Sequence, residues 1–203
     1  MGQCYSVNLT TRYVIAPLLV ELTNKYLKDN QREDHDYKDW KKAVDAIIGD
    51  TSRKIPPQFT ESPEGITISS GFDASYGYHG FMTDWFETVA SAFAEGTEFW
   101  VYPDEGASRQ VIQNGEVTCE DLDVDDLVDY NPYLKKIFNR IMAEVPDVED
   151  QEYEIKHFLG DYGDEDCCVD EALGEDTEAE LTEEQCEQIK KIIREEQKNQ
   201  KEN

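Results

Sequence analysis

Gly65-Ile66-Thr67-Ile68-Ser69-Ser70-Gly71-Phe72 and, further on, Phe99-Trp100-Val101-Tyr102 are the runs on which the fold turns. In the first, Ile66 and Ile68 alternate with Thr67 and Ser69, the period of a strand with one apolar face over residues 65–72. Between the runs, Trp85, Phe86, Val89, Ala90 and Phe93 recur at helical spacing, with Thr83 or Asp84 placed to cap that helix and Gly96 to stop it. After the second run, Pro103-Asp104-Glu105-Gly106 is a turn cluster, residues 110–113 are a return strand, and Asn114-Gly115 is a hairpin signal leading into Glu116-Val117-Thr118. Residues 65–119 hold two of the three tryptophans and five of the eight phenylalanines, so the core is expected here.

Working outward toward the N-terminus, Tyr5, Val7 and Leu9 alternate with Cys4, Ser6 and Asn8, predicting a first strand over 3–9. The opening Met1-Gly2-Gln3-Cys4-Tyr5-Ser6 also fits an acylation pattern, but no basic cluster follows it to assist membrane binding. Pro17 suits the first turn of a helix carrying Leu18, Leu19, Leu22, Tyr26 and Leu27, and Asp36 suits the cap of another carrying Trp40, Val44, Ile47 and Ile48. Residues 50–64, with Pro56, Pro57 and Pro63, read as a loop. The expected fold class is α+β: an antiparallel sheet of about four strands covered by helices on one face, for which a ferredoxin-like arrangement is one candidate.

Beyond residue 119 the composition changes. Residues 120–188 carry 25 acids against 4 bases, whereas residues 1–119 carry 18 against 10, within a formal net charge of −27. Within this block Asn131-Pro132 marks a helix start, and Leu134, Ile137, Phe138, Ile141 and Met142 supply its apolar stripe. Residues 152–159 fit a strand or a helical turn equally well. Residues 160–180 have few apolar groups and read as an acidic, disordered linker. Thr182-Glu183-Glu184-Gln185 has capping-box spacing, and Cys186, Ile189, Ile192 and Ile193 give a terminal helix over 181–203. The expected organisation is thus a 1–159 domain, a 160–180 linker and a C-terminal helix.

Such a charge balance repels nucleic acid and anionic membranes and attracts basic proteins. No Walker sequence or basic aromatic surface is present, so neither direct nucleic-acid binding nor a cofactor is expected. Five cysteines without a secretory pattern point to reduced thiols in a cytoplasmic location. No specific metal site is expected. His157, Cys167, Cys168 and Cys186 lack zinc-ligand spacing, and the frame Asp164, Asp166, Glu175 has Val169 where a calcium loop requires glycine.

Two functional readings come from different classes. In the first, Glu120, Asp121, Asp123, Asp125, Asp126 and Asp129 form an acidic face interspersed with Leu122, Val124, Leu127 and Tyr130. That face binds a basic protein without catalysis, occupying a groove shaped for a polyanion and so antagonising a nucleic-acid-binding protein or defence nuclease. In the second, the aromatic loop Asp73 to Gly80 supplies Asp73, Ser75, Tyr76, Tyr78 and His79 to a small enzyme or ligand site, with Ser75 as nucleophile and His79 as base. The flanking sequence lacks the Gly-x-Ser-x-Gly elbow that would support it.

Overall fold

The computed structural model describes residues 2–30, 60–62, 65–75, 78–103, 106–162 and 180–201. The chain divides into two compact units, Met1–Asp121 and Leu122–Asn203. The boundary between these units lies at 121/122, within the 1–159 span that the sequence pattern groups as one domain.

The first unit is an α+β sheet structure. Its strands are β1 (Gly2–Thr11), β2 (Thr60–Ser62), β3 (Gly65–Ser75), β4 (Glu98–Tyr102), β5 (Ala107–Gln113) and β6 (Glu116–Leu122, the last residue of which belongs to the second unit), in the order β2-β3-β1-β4-β5-β6. The pairings β1 with β3, β1 with β4, β2 with β3 and β4 with β5 are all antiparallel. β1 lies between β3 and β4, with Leu9 opposite Ile68 on one side and Phe99 on the other. Its alternation is real: Tyr5, Val7 and Leu9 are buried while Ser6 and Thr10 are exposed. Gly65 opens β3 with φ +136°, and a Cβ built there would stand 2.5 Å from the Thr11 carbonyl oxygen, so only glycine admits the close approach of β1.

Helices α1 (Ala16–Asp29) and α2 (Tyr78–Val89) supply the rest of this core. Tyr26 of α1 meets Phe81 of α2 at 5.0 Å between ring centroids. Trp85 lies edge-on to Phe99 at 5.6 Å, and Phe86 stacks on Phe99 at 4.9 Å. All three rings are fully buried, and the one polar group among them, the Trp85 indole N–H, donates to the buried Thr23 hydroxyl at 3.0 Å. A second buried polar knot joins Thr11 Oγ1 to Thr97 Oγ1 at 2.6 Å, next to the Val14–Phe93 bridge.

α2 starts a turn before the cap expected at Thr83 or Asp84. Phe81 and Met82 are buried, so the apolar stripe extends toward the N-terminus, and Thr83 inside the helix donates instead to the Gly80 carbonyl at 2.8 Å. The helix expected from Asp36 lies outside the described residues, as do residues 50–59 of the expected loop; residues 60–62 of that loop are β2.

The second unit is helical: α3 (Leu127–Tyr130), α4 (Pro132–Glu144), α5 (Glu152–Tyr162) and α6 (Glu183–Lys201). Residues 152–159 are therefore helix. α4 begins as its sequence dictates, with Asn131 Oδ1 accepting from the Tyr133 and Leu134 N–H groups at 3.0 and 3.3 Å. α6 begins with the reciprocal capping box, Gln185 N–H to Thr182 Oγ1 at 3.3 Å and Thr182 N–H to Gln185 Oε1 at 2.8 Å. Ile137, Ile141, Ile155, Leu159, Ile189 and Ile193 form the centre of its core.

Candidate functional site: exposed carboxylates on two folded units

The six residues of the expected acidic face fall on both sides of the division between the units. In the first unit, Glu120 and Asp121 sit near the end of β6, and both are exposed. Glu120 is engaged by Arg109 at 3.5 Å, and Arg109 also holds Glu98 at 2.9 Å. The guanidinium lies 5.5 Å from the Trp100 ring centroid, and Trp100 is stacked on Tyr102. Glu120 is thus part of an intramolecular charge pair, and its field outside the molecule is reduced accordingly.

In the second unit, Asp123, Asp125 and Asp126 line the turn into α3. Buried Val124 anchors this turn, and Asp126 Oδ2 accepts from the Asp123 N–H at 3.2 Å. Asp123 and Asp126 are exposed and Asp125 is half-buried. Among the described residues Asp121, Asp123, Asp125 and Asp126 enter no ion pair. Asp129 is different. Its oxygens meet Lys156 of α5 at 3.0 Å and Lys135 of α4 at 3.2 Å. The Lys156 hydrogen bond, with help from Lys135, holds its carboxyl below the usual range against the opposing effect of burial. Lys156 in turn stands 5.3 Å from the Phe138 ring centroid. Asp129 therefore links α3 to α4 and α5 through exposed ion pairs.

The second unit also contains exposed acids outside the expected face. Asp147, Glu149, Asp150 and Glu152 are exposed around the start of α5, and Glu183, Glu184 and Glu187 are exposed on α6. Composition alone gives their number; only the fold brings them to the surface.

Glu196 is the opposite case, a carboxylate only 4% exposed. It falls seven residues after Ile189 and three after Ile193, on the apolar stripe of α6. There it meets Lys136 of α4 and, at 2.8 Å, Arg140. Arg140 also binds Glu144 at 2.8 Å and Glu195 at 3.0 Å. Lys136 first, then Arg140, pull the Glu196 carboxyl below its ordinary value, while burial opposes them. Because the folded-state value is the depressed one, this stabilisation is present above the ordinary glutamate range, near pH ~4.3, and is lost as pH falls through the lower folded value. Glu196→Gln is expected to cost about 1–2 kcal/mol at neutral pH and to flatten the acid side of the stability profile, read as urea midpoint against pH. An acid limb as steep as that of the parent protein would show that Glu196 does not set it.

The second candidate site does not form the expected loop. Asp73 and Ser75 belong to β3, paired with Cys4 and Gly2 of β1, and Tyr78 and His79 open α2. Tyr76 lies outside the described residues. His79 is exposed. Strand pairing and the early helix start thus take up positions that a flexible nucleophile–base loop would need.

Among the described residues no group of three or more His, Cys, Asp or Glu side chains is placed to hold a metal, and no helix is long and apolar enough to cross a membrane. His157 pairs with Asp161 at 3.5 Å on one turn of α5. Cys186 is half-buried, and desolvation pushes its thiol up, away from the reactive thiolate. Cys167, Cys168 and the calcium-like frame Asp164, Asp166, Glu175 lie outside the described residues. Comparison with protein-family models, with curated proteins and with solved structures finds no match to this chain.

Proposed function

We propose that the chain is an acidic protein-binding module that engages a basic partner, acting as a non-catalytic antagonist of a cationic nucleic-acid-binding protein such as a defence nuclease. The observation that supports this reading is that Asp123, Asp125 and Asp126 stand on packed structure: they surround the buried Val124 and precede Val128, which belongs to the helical core. Carboxylates on a fixed scaffold can match the spacing of sites built for phosphates, at a lower ordering cost than a floppy acidic tail. The partner is a protein with a cationic groove, and the location that suits such antagonism is the cytoplasm.

Capture experiments with the full chain test this. The expected result is a cationic protein recovered at low salt, released at moderate salt and displaced by duplex DNA. The double substitution Asp123→Lys with Asp126→Lys should weaken that complex about tenfold or more, while lowering stability by no more than the ~1 kcal/mol carried by the Asp123 N–H to Asp126 Oδ2 bond, since among the described residues neither carboxylate enters an ion pair. Undiminished affinity in the double variant would remove this turn from the interface.

A further inference from the structure

The chain contains one asparagine followed by glycine, Asn114-Gly115, and it lies at the exposed tip of the β5–β6 hairpin. Both residues are left-handed, with φ +56° and +78°. Their N–H groups point at one carboxylate. Asn114 N–H donates to Glu95 Oε1, and Gly115 N–H donates to Glu95 Oε2 at 3.2 Å. Glu95 is itself held beside the hairpin, because the neighbouring Gly96 N–H donates to the Ile112 carbonyl at 2.9 Å and the Ile112 N–H to the Thr97 carbonyl at 3.0 Å.

We propose that Asn114 is a site of spontaneous deamidation and that Glu95 sets its rate by keeping the turn closed. The chemistry needs only the chain and solvent water. The Gly115 nitrogen attacks Asn114 Cγ, the new N–Cγ bond forms, and the Cγ–Nδ2 bond breaks. Ammonia leaves, taking the proton given up by the Gly115 nitrogen, and a five-membered imide remains. Water then opens either imide carbonyl, yielding aspartate or isoaspartate at position 114. Glycine makes the attack easy, since no Cβ shields its nitrogen.

Two features of the clasp oppose this reaction. Attack requires Asn114 to leave the left-handed turn so that its own Cγ reaches the next nitrogen, and the paired hydrogen bonds hold that turn in place. The negative charge beside the Gly115 N–H also disfavours the deprotonated amide that performs the attack. Once formed, the product adds a second carboxylate beside Glu95 and repels it.

The test compares the full-length protein with its Glu95→Gln variant during incubation at mildly alkaline pH. The readout is the mass gain of the peptide spanning residue 114, together with isoaspartate detection. The expected result is conversion at Asn114 that is about tenfold faster in Glu95→Gln, a factor equivalent to ~1.4 kcal/mol of lost clasp. An equal rate would overturn the gating role, and a slower rate would assign Glu95 the role of base instead. Absence of conversion in both proteins, while a free peptide of residues 110–119 converts, would overturn the site. If Glu95→Gln fails to fold, Glu95→Asp, which draws the charge back by one methylene, is read against the same outcomes.

Discussion

A chain ended after residue 179 is expected to lose the folded state of the second unit. Such truncation removes Ile189, Ile192 and Ile193, each no more than 4% exposed. Burying one isoleucine contributes about 1.5–3 kcal/mol, so the three together are worth roughly 5–9 kcal/mol. That is comparable with the whole stability of a small domain, about 5–15 kcal/mol. Truncation also leaves Lys136 and Arg140 without Glu196, and it frees the Pro146 and Asp147 carbonyls that accept from Gln185 Nε2 at 2.9 and 3.2 Å. The measurement is far-UV circular dichroism of the truncated protein. The helical signal should fall by clearly more than the share of α6 alone, because α4 and α5 lose their cover. A loss confined to the deleted residues would mean that α6 is an accessory to a core that is complete without it.

Gly160→Ala is expected to destabilise the second unit strongly. A Cβ at that position of α5 would lie 2.1 Å from the Val124 carbonyl oxygen and 2.7 Å from Val124 Cγ1. The carbonyl cannot move freely, since it accepts the Leu127 N–H at 3.2 Å and so starts α3. Overpacking of this kind costs about 3 kcal/mol, against a gain of less than ~1 kcal/mol from the better helix propensity of alanine. The matched control is Gly80→Ala, where a Cβ on α2 meets nothing within 4 Å. Urea unfolding of the two variants should move in opposite directions or differ by several kcal/mol, and near-equal midpoints would show that the Val124 turn yields at little cost. Because Asp123 and Asp125 flank Val124, Gly160→Ala should also displace two of the carboxylates assigned to the binding face.

The parts of the fold that the sequence made legible are those decided by neighbours a few residues apart. The Tyr5, Val7, Leu9 alternation, the Asn131 cap with Pro132, and the Thr182–Gln185 box each involve groups within one turn or one pleat. Where the reading fell short, distant partners decide. The early start of α2 depends on Phe81 meeting Tyr26, which stands on a different helix. The division at 121/122 depends on α4 and α5 packing with α6, a choice that a stripe of apolar residues does not announce. The acidic face was legible as composition only. Charge counts cannot distinguish Asp129, which two lysines pair at the surface, from Asp123 and Asp126, which no base among the described residues holds. Glu196 was hidden for the same reason, although a glutamate on an apolar stripe opposite lysine and arginine is a signal worth reading.

The position of β1 at the middle of its sheet has a kinetic consequence. Its partners are remote in the chain: Leu9 pairs with Ile68 on one side and with Phe99 on the other. During synthesis, therefore, the first strand leaves the ribosome long before either neighbour exists, and it must wait with Tyr5, Val7 and Leu9 uncovered. Closing loops of that length precedes any reward from pairing, which places the first unit among slow, high-contact-order folders. The second unit must also close a long separation, since Arg140 of α4 meets Glu196 of α6, 56 residues further along the chain. On this account β1 is covered on both sides only after Phe99 has been made, and that wait sets the time at which the first unit is ready.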